Sequence, residues 1–303
     1  MTRRVARMLL LLYPLAFRRR YGQEMRALLD QTPTLAVTLL DLLRGALAAH
    51  LRPPAGLAGV VDTGDRLRAS TSGVLACWVA FAAAGFGFYK TTEDNQALGN
   101  AHPVLGGAHL AVQVLAILGC VGVLAGALPL VLPALGHARR DRSLRILVSL
   151  PVLAVLAFAA LTGLLVWLAH SRQSHQATTA GGGAFIAWGL AGLACGAVCV
   201  VASRKVLFAL PLVRGRLLTA LACATLVSAT MAAMALATAL YAIALRFDAS
   251  ALAAAPNGPL GLISSSASLI VQLIVMVIAG GLAVTSTRRG WQALGKADTS
   301  APA

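Results

Sequence analysis

The chain has 303 residues, of which 58% are apolar and 12% charged, whereas soluble domains carry roughly 25% charged residues. This composition excludes an ordinary soluble globular domain and is typical of an integral membrane protein. The formal net charge is +15, but the basic residues lie mainly in short segments between apolar stretches, with few aromatic residues among them. We therefore expect a lipid bilayer with anionic headgroups, and no nucleic acid, as the partner of these charges.

The N-terminal segment, residues 1–52, is predicted to fold as a small cytoplasmic helical domain. The segment begins with a basic amphipathic helix, which ends at Pro14. A second helix follows, and a third begins with Thr32 as its N-cap and Pro33 in its first turn. Residues 53–72, which begin with two prolines and contain several glycines, are predicted to be a linker.

An aromatic and basic motif lies inside this segment, between Tyr13 and Met25. Its aromatic residues recur every four positions and are predicted to line one side of a helix. Its three consecutive arginines would meet lipid phosphates, or one of the last two would pair with Glu24 about one helical turn later. Two interpretations stay open: a self-contained small core with solvated charges, or a surface that docks on lipid or on a partner. The candidate docking residues are Tyr13, Phe17, Arg18, Arg19, Arg20, Tyr21 and Glu24.

The same motif, with its Tyr-Pro followed by Phe-Arg-Arg-Arg-Tyr-Gly-Gln-Glu-Met, resembles the opening of bacterial permease-prefix segments. Those segments precede the transmembrane core of ABC-type permeases of the macrolide-exporter-like class. The chain also resembles uncharacterised multipass membrane proteins of high-GC Gram-positive bacteria, with a looser match at residues 90–94, 102–103 and 289–291. The permease core has few spans and a large extracytoplasmic domain, which this sequence lacks. The resemblance therefore implies a recurring module for docking or regulation, and it does not imply transport.

Six apolar stretches that follow the linker are long enough to cross a bilayer. The predicted fold is all-α: a six-helix transmembrane bundle at 73–287, followed by a cytoplasmic tail at 288–303. Two prolines, Pro129 and Pro133, are expected to end the second span. The predicted spans are 73–89, 104–135, 146–169, 183–202, 217–245 and 262–286.

The basic residues are distributed unequally between the segments that connect these spans. Of the 25 Lys and Arg residues, 22 fall in the odd-numbered segments, and only Lys90, Arg172 and Arg246 fall in the even-numbered ones. Because short positive loops stay in the cytoplasm, both termini are predicted to be cytoplasmic. Together with the resemblance, this predicts a multipass protein of the bacterial cell membrane.

Little in the predicted spans points to chemistry. No Asp, Glu, Lys or Arg lies in the middle of a span, where a charge usually has a function, and no GxxxxGK[ST] phosphate-binding motif occurs. The polar residues that approach the core are His109, Gln113 and Gln272, which could line a cavity or form hydrogen bonds between helices. We expect no cofactor and no metal, although the even-numbered segments leave a zinc or copper site open. Its residues would be Glu93, Asp94, His102, His170 and His175.

Small residues recur four apart on two spans, at Gly122 and Gly126 and at Gly192 and Gly196. This spacing lets helix backbones approach closely, either inside the bundle or across a homodimer. For the whole chain, two functions remain. The first is a non-enzymatic accessory or regulatory protein that docks a membrane or cytoplasmic protein partner through its N-terminal domain. The alternative is a small transporter or channel subunit.

Overall fold

The structure is a computed structural model. All the elements of regular secondary structure in its described residues are helices, which confirms the all-α prediction. The chain divides into two compact units, Met1–Ala69 and Ser70–Ala303. The residues described are 9–10, 13, 15–31, 38–39, 41–42, 45, 63–92, 102–171, 179–210, 213–255 and 264–299.

Six helices in this part of the chain are long and apolar enough to cross a membrane. Their number and order confirm the prediction, and they fit a multipass integral membrane protein. A short helix in the N-terminal unit and a single turn before the last span complete the set. The helices are α1 (Leu15–Gln31), α2 (Thr63–Thr92), α3 (Pro103–Ala138), α4 (Arg142–Ser171), α5 (Thr179–Ala209), α6 (Arg214–Asp248), α7 (Ser250–Ala254) and α8 (Ser265–Thr299).

The spanning helices extend beyond the predicted spans at several ends. Helix α2 begins at Thr63, inside the segment predicted as a linker, and Asp65 in its first turn accepts a bond of 2.9 Å from Arg68. A carboxylate at this place favours the helix start. Helix α8 continues to Thr299, through the segment predicted as a tail. That extension is partly buried, at Ala293 and Leu294.

Two prolines lie inside α3, which runs past Pro129 and Pro133 and ends at Ala138. The expectation that they end the span is wrong. An internal proline removes one helical hydrogen bond, but membrane-spanning helices tolerate internal prolines because other groups can satisfy the freed backbone. Near its end, Ala134 and Ala138 are buried in one cluster with residues of α4 and of the segment after α5.

Helices α2, α3, α6 and α8 share one apolar core, in which more than half of the spanning stretch of α6 is buried. Helices α4 and α5 form a hairpin that packs mainly on itself, and only 6% of each spanning stretch is buried. The side chains of this core that are almost fully buried include Phe81, Met231, Leu245, Leu269 and Met276.

The small residues four apart are used within the chain. A Cβ added at Gly122 would lie 3.0 Å from Val227 of α6, and one at Gly126 would lie 2.9 Å from Cys223. On α5, Gly192 lies against Phe158 of α4, and Gly196 lies against Val79 of α2. These glycines therefore allow close helix packing inside the bundle, as one of the two interpretations expected.

The two ends of the bundle differ in the helices that begin and end there. The basic end is the one at which α3 and α5 end and α4 and α6 begin. The far end is the one at which α2 and α4 end and α8 begins. The hairpin contacts the other helices near both ends of the bundle. Towards the far end, the ring centroids of Trp188 of α5 and Phe86 of α2 are 4.6 Å apart. At the basic end, the contact is the cluster that contains Ala138 and Leu210.

Candidate functional site

The aromatic residues of the N-terminal motif form a row of ring contacts that begins just before α1 and continues along its start. The ring centroids of Tyr13 and Phe17 are 5.1 Å apart, and those of Phe17 and Tyr21 are 4.9 Å apart. This row is the one that the spacing of four residues predicts. Tyr13 is buried and Tyr21 is 36% exposed, so the row runs from the interior of the unit to its surface.

Tyr13 belongs to a small core of the N-terminal unit, together with the buried residues Leu10, Leu29 and Leu42. Its hydroxyl lies against the backbone of Gly45, and burial raises the pKa of the phenol. The motif therefore contributes to a self-contained core, which is one of the two interpretations that the sequence left open.

Of the three arginines of the motif, Arg18 is the one whose side chain the structure describes. Arg18 is half-buried, and its Nε atom is buried without a hydrogen-bond partner among the described residues. Arg19 and Arg20 lie in α1, but their side chains fall outside the described part, and so does the expected pairing of one of them with Glu24.

The exposed part of α1 includes a residue that sequence reasoning missed. Tyr21, Glu24 and Leu28 lie three and four positions apart, so they share one face of the helix, and all three are exposed. Leu28 is 61% exposed, so it adds apolar surface to this face. Leu28 could have been predicted from the sequence, because it follows Tyr21 by seven residues and therefore lies on the same face of a helix. We call Tyr21, Glu24 and Leu28 the α1 stripe.

Gln272 of α8 lies in a buried polar cluster at the far end of the bundle. Its Nε2 atom donates to Thr91 Oγ1 of α2 at 3.1 Å and to Ser268 Oγ at 2.8 Å. The two hydroxyls are themselves 3.0 Å apart, and Thr91 donates to the carbonyl of Gly87 at 2.9 Å. Gln272 therefore joins two helices, as the hydrogen-bonding interpretation expects.

His109 and Gln113 of α3 form a separate pair, with 3.2 Å between His109 Nε2 and Gln113 Nε2. The His109 ring also lies edge-on to Phe88 and Tyr241, at 6.0 and 6.3 Å between centroids. The hydrogen bonds of Gln272 run to Thr91 and Ser268 instead of to this pair. His109, Gln113 and Gln272 are also absent from the lining of the bundle's apolar cavity, as far as the described residues define it.

The zinc or copper site left open by the sequence is described only in part. Its His170 lies in α4, but the side chain of His170 falls outside the described part. His102 Nδ1 lies 4.0 Å from Asp248 Oδ2, where α3 begins and α6 ends. In the part of the chain that the structure covers, no three His, Cys, Asp or Glu side chains form a metal-binding group. Glu93, Asp94 and His175 lie outside that part.

An apolar cavity of about 470 Å³ lies between the hairpin and the other helices, towards the basic end. Residues of α2, α3 and α6 form one wall, and residues of α4 and α5 form the other. The lining includes Gly122, Gly126, Ala127, Ala134, Ala220 and Ala224. The described lining is therefore almost wholly apolar, with small residues beside several leucines.

Two basic residues lie close in sequence to residues that line this cavity. Arg145 is exposed one turn before Val148, which lines the cavity, and it donates to the carbonyls of Ala138 and Arg139, both at 3.3 Å. Arg204 lies one turn before the lining residue Leu207, and its guanidinium is 5.9 Å from the Phe208 ring. The sequence assigns these charges to one side of the membrane, but it does not predict the cavity.

The chain matches no known protein family, no curated protein and no solved structure. Its function is therefore inferred from the contacts, burial and charges of the chain itself.

Proposed function

We propose that this chain is a non-enzymatic accessory protein of the bacterial cell membrane, with both termini in the cytoplasm, and that its N-terminal unit docks a partner protein. The observation that carries the proposal is the α1 stripe, Tyr21, Glu24 and Leu28, exposed on a helix whose other side packs into a small core. A core of this kind holds the stripe in place, and aromatic residues are enriched at protein interfaces.

The chemistry of the stripe indicates the kind of partner. Tyr21 and Leu28 offer apolar area, and Glu24 offers a negative charge between them. The matching surface is a groove that takes two side chains from one helix face, with a basic residue at its edge. An anionic membrane surface does not match Glu24, so lipid is expected to meet the arginines of the chain and not this stripe.

The interior of the bundle supports an accessory function over transport. Among the described residues, none of the buried side chains is charged, and charged residues inside a membrane usually mark ion pathways. Buried hydroxyls pair between helices instead: Ser70 donates to the carbonyl of Ser286 at 2.6 Å, and Ser228 lies 2.9 Å from Thr287. Such contacts hold α2, α6 and α8 together, which is a structural role.

The orientation follows from the distribution of charge. The basic end carries the arginines of the α3–α4 turn and of the start of α6, whereas Arg246 is the basic residue in the last turn of α6 at the far end. With the positive-inside rule, the basic end and the N-terminal unit face the cytoplasm. The partner is therefore a cytoplasmic protein or the cytoplasmic part of a membrane protein.

Affinity purification from native membranes tests the proposal. The full chain should retain a partner, and the triple change Tyr21→Ala, Glu24→Arg, Leu28→Ser should release it. The matched control changes Gln23→Ala and Ala27→Ser, which are also exposed on α1 but lie outside the stripe. Melting of both variants should resemble that of the wild type, since all these positions are exposed.

The proposal fails if the stripe variant keeps every partner that the wild type keeps. It also fails if the purified protein in liposomes moves a solute by itself, because the transporter alternative would then hold. Loss of the partner from the control variant as well would assign docking to α1 as a whole and would contradict the role of the stripe.

A further inference from the structure

We propose that the apolar cavity at the basic end is a binding site for one anionic phospholipid. One acyl chain lies between the hairpin and α3, and the phosphate lies beside Arg145 and Arg204. This site is independent of the partner docking proposed for α1, because it is built entirely from residues of the unit Ser70–Ala303.

The volume and the lining fit an apolar ligand. At about 470 Å³, the cavity falls in the range of roughly 300–1,000 Å³ that is typical of small-molecule sites. Its walls are almost wholly aliphatic; the only hydroxyls among the described lining residues are those of Thr71 and Ser203. A ligand with many polar groups would lose its hydrogen bonds to water there without replacing them. An acyl chain loses none.

The position of the cavity makes a lipid the occupant. The walls belong to helices that cross the membrane, and Val152 of α4 lines the cavity while 58% of its surface is exposed. The cavity wall therefore continues into the outer surface of the hairpin, which the bilayer would cover. Acyl chains are the most abundant molecules at that surface. A soluble apolar ligand would have to compete with them.

The charges beside the cavity select an anionic headgroup. Arg145 is one turn from Val148 and points back over the end of α3, where it donates to two carbonyl groups. Arg204 is half-buried one turn from Leu207, and an arginine at such a place extends its guanidinium towards the headgroup layer. Guanidinium groups match phosphate oxygens in geometry as well as in charge. A lipid with one chain in the cavity would thus have these two arginines as candidate partners for its phosphate.

Native mass spectrometry of the full-length protein in mild detergent tests the site, with dioleoyl phosphatidylglycerol and dioleoyl phosphatidylcholine as probes. We expect one phosphatidylglycerol to bind about tenfold more tightly than phosphatidylcholine, because basic residues near the surface favour anionic lipid. The change Ala127→Leu fills the cavity and should weaken the binding of both lipids. The change Arg145→Gln should lower the affinity for phosphatidylglycerol to about that for phosphatidylcholine.

Two matched variants control these changes. Ala157→Leu adds the same side chain at an exposed position of α4 that does not line the cavity, and Arg246→Gln removes an exposed arginine at the far end. Both should bind phosphatidylglycerol as the wild type does. If Ala127→Leu does not fold, Val152→Trp narrows the cavity from its exposed wall, and it should weaken binding in the same way.

Four outcomes overturn the proposal. The cavity-filling variants bind both lipids as well as Ala157→Leu does; or phosphatidylcholine binds as tightly as phosphatidylglycerol; or glycerol phosphate, which has no acyl chains, displaces the lipid completely; or the purified protein carries a non-lipid apolar molecule that Ala127→Leu excludes. A failure of partner docking leaves each of these measurements unchanged, so the two proposals are tested separately.

Discussion

Gln272 of α8 donates a hydrogen bond of 3.1 Å to Thr91 of α2, and a glycine one turn before Thr91 makes room for the donor. A Cβ added at Gly87 would lie 3.0 Å from Gln272 Nε2 and 3.2 Å from its Cδ. The glycine on α2 therefore provides the space that the amide on α8 occupies. Its role is to bring two helices into contact around a polar group, as small residues do in membranes.

The change Gly87→Ala should consequently destabilise the bundle, by about 1–3 kcal/mol for an overpacked interior. The single change Gln272→Ala removes the amide, and the double variant should be more stable than the two separate effects predict, with a coupling of about 0.5–3 kcal/mol. Denaturation in detergent, followed for the wild type and all three variants, measures this coupling. Strict additivity of the two changes would show that Gly87 does not accommodate the amide.

A comparison of Gly119 with Gly163 distinguishes the effect of close packing on stability from that of helix propensity. A Cβ at Gly119 of α3 would overlap the ring of Trp78 of α2, whereas nothing lies within 4 Å of the corresponding position at Gly163 of α4. Gly119→Ala should lower stability by about 1–3 kcal/mol. Gly163→Ala should leave stability unchanged or raise it by up to about 1 kcal/mol, because alanine favours a helix over glycine. Equal melting temperatures of the two variants would contradict the contact with Trp78.

The number and order of the spans could be predicted because length, apolarity and loop charge are local properties of the sequence. The helix ends were predicted less well. Helices α2 and α8 continue into the predicted linker and tail, where polar residues such as Asp65 and Arg68 support a helix as readily as a loop. Pro129 and Pro133 do not end α3, because a membrane-spanning helix tolerates internal prolines.

The cavity could not be predicted, because it is a property of pairs of helices. Helix α3 is apolar on all sides, so its sequence does not distinguish the face that meets α6 from the face that meets lipid. Small residues such as Gly122 and Gly126 show that some backbone approach occurs, but not with which helix. The sequence also does not determine which aromatic residue of the N-terminal motif is buried. Tyr13 and Tyr21 carry the same side chain and differ only in the residues that surround them.

Reporter fusions test the proposed orientation. Fusions after Asp94, Arg140, His175, Lys205 and Asp248 should report, in that order, outside, inside, outside, inside and outside. The reason is the placement of 22 of the 25 basic residues in the segments that would then be cytoplasmic. As a control, the double change Arg139→Glu and Arg140→Glu removes positive charge from the α3–α4 turn. It should weaken the inside signal of the fusion at that turn. Two neighbouring fusion sites that report the same side would refute the six-span topology.

The turn between α3 and α4 provides a prediction about pH. Asp141 lies directly before α4, and its Oδ1 atom accepts bonds from the Ser143 hydroxyl and the Ser143 backbone N–H, both at 2.8 Å. These bonds, that of the side chain first, lower the pKa of the Asp141 carboxyl below its usual value. A carboxylate with a lowered pKa stabilises the fold at pH values above its unfolded pKa of about 3.9, and this stabilisation is lost as the pH falls through the folded pKa.

Asp141→Asn keeps an oxygen acceptor before the helix but removes the charge. The wild type should therefore melt at a higher temperature than Asp141→Asn at pH 7, and the difference should shrink as the pH falls below about 4 and on through the lowered pKa of the Asp141 carboxyl. Ser143→Ala removes one of the two donors, so it should raise the pKa of Asp141 and move the loss of stability to higher pH. Melting curves in detergent between pH 3 and pH 7 measure both effects. A difference between wild type and Asp141→Asn that stays constant over this range would show that the ionised carboxylate does not stabilise the start of α4.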